Sequence, residues 1–272
     1  MDARGEVLSQ LVIRSDVYGA DADAYIKALA EAIKKVVKDS DKEGQIRGVG
    51  VGAPNGNYYT NSISFAPNLA WAANGTVEFG KLLSEALGGI PVAITNDANA
   101  AASGEMTYGV ARGMKNFIMI TLGTGVGSGF VVDGVLDEHS DRVPEGGEVW
   151  NLPFGDTIVD ASFSTRWVVG RYEQLTGKKV PGAKEVAQAC KEGEKEAQQL
   201  FHEYGERMAA FASPVLTRFG ADTLVLGGNI SRNYALFCGP LLAGLPEGVE
   251  VRTSQLLDQA AMIGAASLFK DE

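Results

Sequence analysis

The stretch Ile94-Thr95-Asn96-Asp97-Ala98-Asn99-Ala100-Ala101-Ala102-Ser103-Gly104-Glu105 decides the fold. Pro91-Val92-Ala93-Ile94-Thr95 reads as a buried strand, and the small residues after Asp97 read as a helix that starts at once. Asp97 therefore falls at or beside a helix N-terminus. Two readings of its carboxylate stand together. As an N-cap it would satisfy the first helical amides and complement the dipole. As a general base it would sit at the carboxyl end of a strand, where open α/β sheets place their ligands.

Working outward, Thr121-Leu122-Gly123-Thr124-Gly125-Val126-Gly127-Ser128-Gly129-Phe130 lies between the apolar runs Phe117–Ile120 and Phe130–Val132. Four glycines between two strands let backbone N–H groups turn inward around an anion, and Thr124 can add a hydroxyl. A glycine-rich hairpin without a ligand has the same signature. Further on, Thr223-Leu224-Val225-Leu226-Gly227-Gly228-Asn229-Ile230-Ser231 is a buried strand ending in glycines, with Ser231 placed to cap a following helix. Such glycines admit a flat ligand such as a nucleoside, or simply make a strand-to-helix joint.

With Ser64-Phe65-Ala66-Pro67-Asn68-Leu69-Ala70-Trp71 upstream, these elements resemble the ROK family of sugar kinases and related repressors. The resemblance runs in order from about Gly48 to Ala260–Leu268, most of the chain. It implies an α/β chain of the actin-like ATPase (ribonuclease H-like) fold, with two lobes and a cleft between them. It also implies ATP and Mg²⁺ as cofactors, a hexose or N-acylhexosamine as substrate, and a homodimer. By the resemblance Asp97 is the catalytic base and Asn96 a sugar contact. Gly123, Thr124, Gly125 and Gly127 belong to the second phosphate loop, and Gly227, Gly228 and Asn229 lie against the adenosine.

The chain departs from the family pattern in two places. Members open with Asp-x-Gly-Gly-Thr, the first phosphate loop. This sequence opens Met1-Asp2-Ala3-Arg4-Gly5-Glu6-Val7-Leu8, which resembles the turn after that loop. Either the natural start lies upstream or part of the ATP site is lacking. The second departure follows Glu148. Where the family reads Gly-Glu-x-Gly-His and then a cysteine-rich zinc loop, this chain reads Gly147-Glu148-Val149-Trp150-Asn151-Leu152-Pro153. Glu148 keeps the sugar-binding carboxylate and Asn151 replaces the histidine. Aligning Ile158-Val159-Asp160-Ala161-Ser162 with the family's Cys-Leu-Glu segment makes Asp160 the second sugar carboxylate, one methylene shorter. Asn68 and Asn151 are weaker sugar contacts. Zinc is not expected, because the 2 cysteines (Cys190, Cys238) and 2 histidines (His139, His202) are scattered and tetrahedral sites need about four such ligands.

At 272 residues the chain can build substantial cores. A formal charge of −10 argues against a nucleic-acid surface, since phosphate contacts need clustered Lys and Arg. That charge, with no helix-turn-helix ahead of the kinase-like part, disfavours a repressor. Two cysteines that look unpaired suit a reducing, cytoplasmic compartment, and no apolar run is long enough to span a membrane. Periodicity predicts a strand at Val7–Ile13 and a helix at Asp23–Lys38. It predicts a strand at Ile46–Gly52 and a helix at Val77–Leu87. Further helices are expected at Ala183–Cys190, at Lys195–Phe219 with Pro214 kinking or dividing it, and from Ser231. A strand at Val249–Thr253 and a last helix near Asp258–Phe269 complete the series. This alternation predicts helices on mostly parallel sheets. By the resemblance the lobes are 1–110 with 256–272, and 111–255, hinged near Glu105–Lys115 and Ser254. The chain is then a glucokinase-like enzyme, or a catalytically weak sugar-binding relic acting as a sensor.

Overall fold

The structure, a computed structural model, describes residues 1–269. The chain divides into two compact units, one formed by Met1–Tyr108 with the chain from Gln259 onward, the other by Gly109–Asp258.

In the first unit α1 spans Ala22–Asp39. Asp21 starts it by accepting the Ala24 N–H at 2.9 Å, and the stripe through Ile26 and Ala30 turns inward. Strand β1 (Val49–Ala53) and, later, β5 (Val92–Asn96) run parallel, with Ala53 opposite Asn96. Between them β2 (Gly56–Asn57), β3 (Ser62–Ser64) and β4 (Thr76–Val77) form a small antiparallel sheet. Helix α2 (Phe79–Ala86) follows, and Gly88 and Gly89 leave it at positive φ. Trp71 packs on both Tyr25 and Phe79, with ring centroids 5.1 and 5.3 Å away, in a core that includes Ile63, Leu83 and Ile94.

Helix α3 (Asp97–Tyr108) carries no apolar stripe, and Ala98 through Glu105 are all buried. Its small side chains reflect how closely the last helix, Ala260–Ala266, approaches. A Cβ on Gly264 would stand 1.7 Å from the Ala100 carbonyl oxygen, and one on Gly104 would stand 2.2 Å from that of Ala260. The backbones touch, so this position of α3 excludes larger residues.

The second unit holds a five-stranded sheet. Its strands are β6 (Phe117–Leu122), β7 (Val126–Val132), β8 (Val135–Leu136), β11 (Thr223–Gly227) and β12 (Glu250–Thr253), in the order β12-β11-β6-β7-β8. The β12, β11 and β6 strands are parallel, while β7 and β8 run antiparallel, so the sheet is mixed. Strands β9 (Pro153–Phe154) and β10 (Thr157–Ile158) form a separate two-residue hairpin. Helices α4 (Val159–Phe163), α5 (Thr165–Thr176), α6 (Ala183–Lys191) and α7 (Lys195–Phe219) follow. One core joins the sheet to them, with Phe130 edge-on to Phe219 at 5.0 Å and the Tyr204 hydroxyl donating to the Phe163 carbonyl at 2.8 Å.

Two expectations fail, and of the two alternatives for Pro214 the division fails. Val7–Ile13 forms no strand. It is mostly apolar but has no ladder partner among the described residues, and Leu8, Leu11 and Val12 are exposed. Pro214 does not divide α7, which runs unbroken from Lys195 to Phe219. Ser231 caps nothing. It ends the four-residue helix α8 (Gly228–Ser231), and its hydroxyl donates back to the Gly228 carbonyl at 2.7 Å.

Candidate active site

The first unit holds Asn96 and Asp97 at the carboxyl end of β5. The cap of α3 belongs to Asn96, whose amide oxygen accepts the Ala98 N–H at 2.9 Å and the Asn99 N–H at 3.4 Å. Asp97 is the first helical residue, and its Oδ1 shares the Ala98 N–H at 2.9 Å. Among the described residues its carboxylate accepts only this N–H and its own. The neighbour thus does the capping, and Asp97 keeps a lone pair available as a base. Asn68 stands exposed in the Ala66–Leu69 turn, where the Leu69 N–H donates to the Ala66 carbonyl at 2.9 Å.

Asp97 reaches solvent, yet enough protein crowds its carboxyl for desolvation to raise its pKa, opposed by the Ala98 N–H and its own. The folded pKa therefore exceeds the unfolded one. Its stabilising contribution is complete below the unfolded pKa and is lost as pH rises through the folded value. Thermal melts across pH should accordingly show Asp97→Asn more stable than wild type at neutral pH, with the gap closing in acid. A gap that widens in acid would show that Asp97 is stabilised as the carboxylate.

The second unit holds the glycine-rich turn between β6 and β7, and there the backbone donors can be followed one by one. The Gly123 N–H donates to the Gly125 carbonyl at 3.0 Å, the Val126 N–H to Asp160 Oδ1 at 2.9 Å, and the Gly127 N–H to Thr121 Oγ1 at 3.1 Å. The N–H groups of Thr124 and Gly125 find no acceptor among the described residues, and both residues are exposed. Two adjacent outward amides beside a threonine hydroxyl suit a phosphate oxygen.

Gly227 and Gly228 come against the start of this turn. Gly227 pairs with Thr121 across the parallel strands. Gly228 has φ +79°, and a Cβ there would stand 2.4 Å from the Leu122 carbonyl oxygen. Packing alone thus demands that glycine, and it brings the two glycine segments to the same ends of adjacent strands. Asn229 accepts from Arg232 Nε at 3.2 Å, and Arg232 pairs with Asp258 at 2.7 Å.

Glu148 is half-buried, with its Oε2 accepting the Trp150 indole N–H at 2.7 Å. Its segment is pinned by Ser128, whose hydroxyl donates to the Gly147 carbonyl at 2.7 Å and accepts the Val149 N–H at 3.1 Å. Asn151 is exposed next to Trp150. In place of a cysteine-rich loop, the β9–β10 hairpin packs Phe154 on Phe163 at 5.1 Å, with the Arg207 guanidinium 5.1 Å from the Phe154 centroid. Asp160 has both oxygens engaged, Oδ1 by the Val126 N–H and Oδ2 by Arg166 at 2.5 Å. Sequence reasoning missed Ser128, Trp150, Thr165 and Arg166. Only the Trp150 spacing from Glu148 offered a signal.

A strand-end carboxylate in one α/β unit and an amide-lined turn in the other are the parts a phosphotransferase needs. The ROK family model matches residues 6–140 and 159–272, and the chain belongs to that family. Glu148, Trp150 and Asn151 lie in the stretch left between the two matches. A glucokinase of Thermotoga maritima is 28% identical over 98% of this chain and 91% of its own length. One of Streptomyces coelicolor is 26% identical over 90% and 87%. The crystal structure of a Streptomyces griseus ROK glucokinase with glucose and AMPPNP superposes with a TM-score of 0.77, at 24% identity over 98% of this chain and 93% of that one. The fold is the actin-like ATPase fold, and the relatives place the chain among carbohydrate kinases at the level of the family. No helix among the described residues is long and apolar enough to cross a membrane.

Proposed function

We propose that this protein is an ATP-dependent hexose kinase, glucokinase-like, that transfers the γ-phosphate to the sugar's primary hydroxyl. The observation that carries this reading is the pair of outward N–H groups on Thr124 and Gly125, left over when every neighbouring donor of the turn is taken. Asp97 accepts the proton of the attacking hydroxyl on its carboxylate. The new bond forms between that sugar oxygen and the γ-phosphorus, the bond to the β–γ bridging oxygen breaks, and ADP leaves. Asn96 and Glu148 hold other sugar hydroxyls, with Asn68 and Asn151 at the margin. Gly123–Gly127 receives the phosphates, and Gly227, Gly228 and Asn229 take the adenosine.

The described residues contain no group of three or more His, Cys, Asp or Glu side chains that could hold a metal. Mg²⁺ would enter already bound to the nucleotide's phosphates, whose charge it neutralises.

A coupled ADP-release assay across hexoses and N-acylhexosamines, with ATP and with polyphosphate as donor, tests the proposal. Turnover with one sugar class names the substrate. A second reading is a sugar binder without turnover. Sugar binding by calorimetry with no ADP release from any sugar would establish that reading and overturn the kinase.

The Glu148–Trp150 pair yields a separate expectation. Trp150→Phe removes the indole N–H, so the carboxylate loses one of the contacts that aim it. Sugar KM should rise roughly tenfold, the worth of one hydrogen bond to a charged group, while kcat stays within about twofold. An unchanged sugar KM would remove Glu148 from the sugar site.

A further inference from the structure

We propose that Asp160 positions the phosphate-receiving turn and does not hold the sugar, forming with Thr165 and Arg166 a clamp that sets the Gly123–Val126 backbone. This inference rests on the kinase reading and sharpens it. The resemblance places a sugar carboxylate at this point of the chain, and the geometry points elsewhere.

The turn is held on both sides. On one side the Gly123 carbonyl accepts two donors from Thr165, its N–H at 2.8 Å and its hydroxyl at 2.9 Å. On the other, the Val126 N–H donates to Asp160 Oδ1 at 2.9 Å. Thr165 opens α5, and Asp160 lies in α4 just before it, so both grips come from one short stretch of chain. The grips engage the flanking groups and leave the two central amides, Thr124 and Gly125, facing outward. Removing either would let the turn relax and withdraw those amides.

Three further observations agree. First, a Cβ on Gly125 would stand 2.9 Å from Asp160 Oδ1, and Gly125 is not at positive φ. The glycine is there to admit the carboxylate, not to permit a special backbone angle. Second, the Asp160 side chain is 16% exposed and each oxygen already has a partner, which leaves little for sugar hydroxyls. Third, a bare carboxylate beside a triphosphate would repel it, and Arg166 removes that objection. Its guanidinium pairs with Oδ2 while its side chain stays 74% exposed. The clamp is also continuous with the Glu148 segment, because the Asp160 N–H donates to the Trp150 carbonyl at 2.9 Å.

The test measures the two substrates separately on the full chain. Binding of AMPPNP and of the sugar, each alone, is followed by calorimetry, and KM is determined for each in turnover. Asp160→Ala should weaken AMPPNP about tenfold, as loss of a charge-assisted hydrogen bond does, and should raise the KM for ATP by a similar factor. Sugar affinity should stay within about twofold. Asp160→Asn keeps an acceptor for Val126 but loses the charge, and should fall between. Arg166→Gln should weaken AMPPNP alone. Hydrogen exchange at the Val126 amide is an independent readout, and Asp160→Ala should accelerate it relative to the β6 amides.

Weakened sugar binding with unchanged AMPPNP affinity would restore Asp160 to the sugar site and overturn the proposal, as would equal losses on both substrates. If wild type binds no nucleotide, the kinase reading and the phosphate role both fall. In that case, accelerated Val126 exchange would show a clamp that serves only the fold. Should Asp160→Ala fail to fold, Asp160→Asn and Arg166→Gln carry the same comparison.

Discussion

Asp97→Asn is expected to lower kcat by about 10²- to 10⁴-fold, the range a positioned general base contributes, while sugar affinity changes no more than a few-fold. The asymmetry follows from the local geometry. Asn96, not Asp97, makes the double cap on the Ala98 and Asn99 amides, so the helix start survives the substitution. Asparagine can keep the single Ala98 contact that Asp97 Oδ1 makes at 2.9 Å. It cannot accept a proton at the other position. Single-turnover rates beside calorimetric sugar affinity separate the two effects. Near-wild-type turnover would remove Asp97 from the chemistry. The acid limb of kcat/KM gives a second handle. With desolvation raising the Asp97 pKa, that limb should lie above the ordinary carboxylate range and should be missing from the residual activity of the asparagine variant.

The second large effect is on the fold that carries Asp97. Gly264→Ala would put a methyl group 1.7 Å from the Ala100 carbonyl oxygen and 2.5 Å from the Gly104 nitrogen. Both neighbours are backbone, so no rotamer change relieves the clash, and the last helix must move away from α3. The cost should be about 3 kcal/mol or more, at the severe end for overpacking. For a chain of this size that corresponds to a fall of roughly 6–12 °C in Tm. Turnover should drop as well, because Asp97 is the first residue of α3, which loses its packing against the last helix. The two variants therefore differ in kind: Asp97→Asn loses rate without stability, and Gly264→Ala loses stability first. A Tm within about 1 °C of wild type would mean that the two helices can separate by a methyl group's width at no cost.

Much of this was legible along the chain. Alternation between apolar runs and glycine breaks located β1, β5, β6, β7 and β11, because a buried strand needs a continuous apolar stretch whatever its neighbours are. Helix α1 was legible from its stripe, and α7 matched its expected limits. Val7–Ile13 shows the limit of that logic. It has the composition of a strand, but a strand exists only when another supplies its hydrogen bonds, and none among the described residues does so. Ser231 marks a similar limit, since a hydroxyl near a helix start caps it only if the backbone turns the right way.

The site divides along the same line. Asp97 at a strand end, glycines between β6 and β7, and glycines after β11 follow from residue order, because a junction between elements is a local property. Which groups at those junctions remain available is not local. Asn96 taking the cap from Asp97 is the exception, decided by the backbone turn at the start of α3. Thr124 and Gly125 keep their amides because Asp160, Thr121 and the Gly125 carbonyl engage the others, and Asp160 lies 34 residues from the amide it accepts. The sequence by itself determined the elements, their junctions and the chemical types available there. The tertiary structure alone decided which donors and acceptors stay unpaired, because each can be satisfied by a distant group that only folding brings within 3 Å.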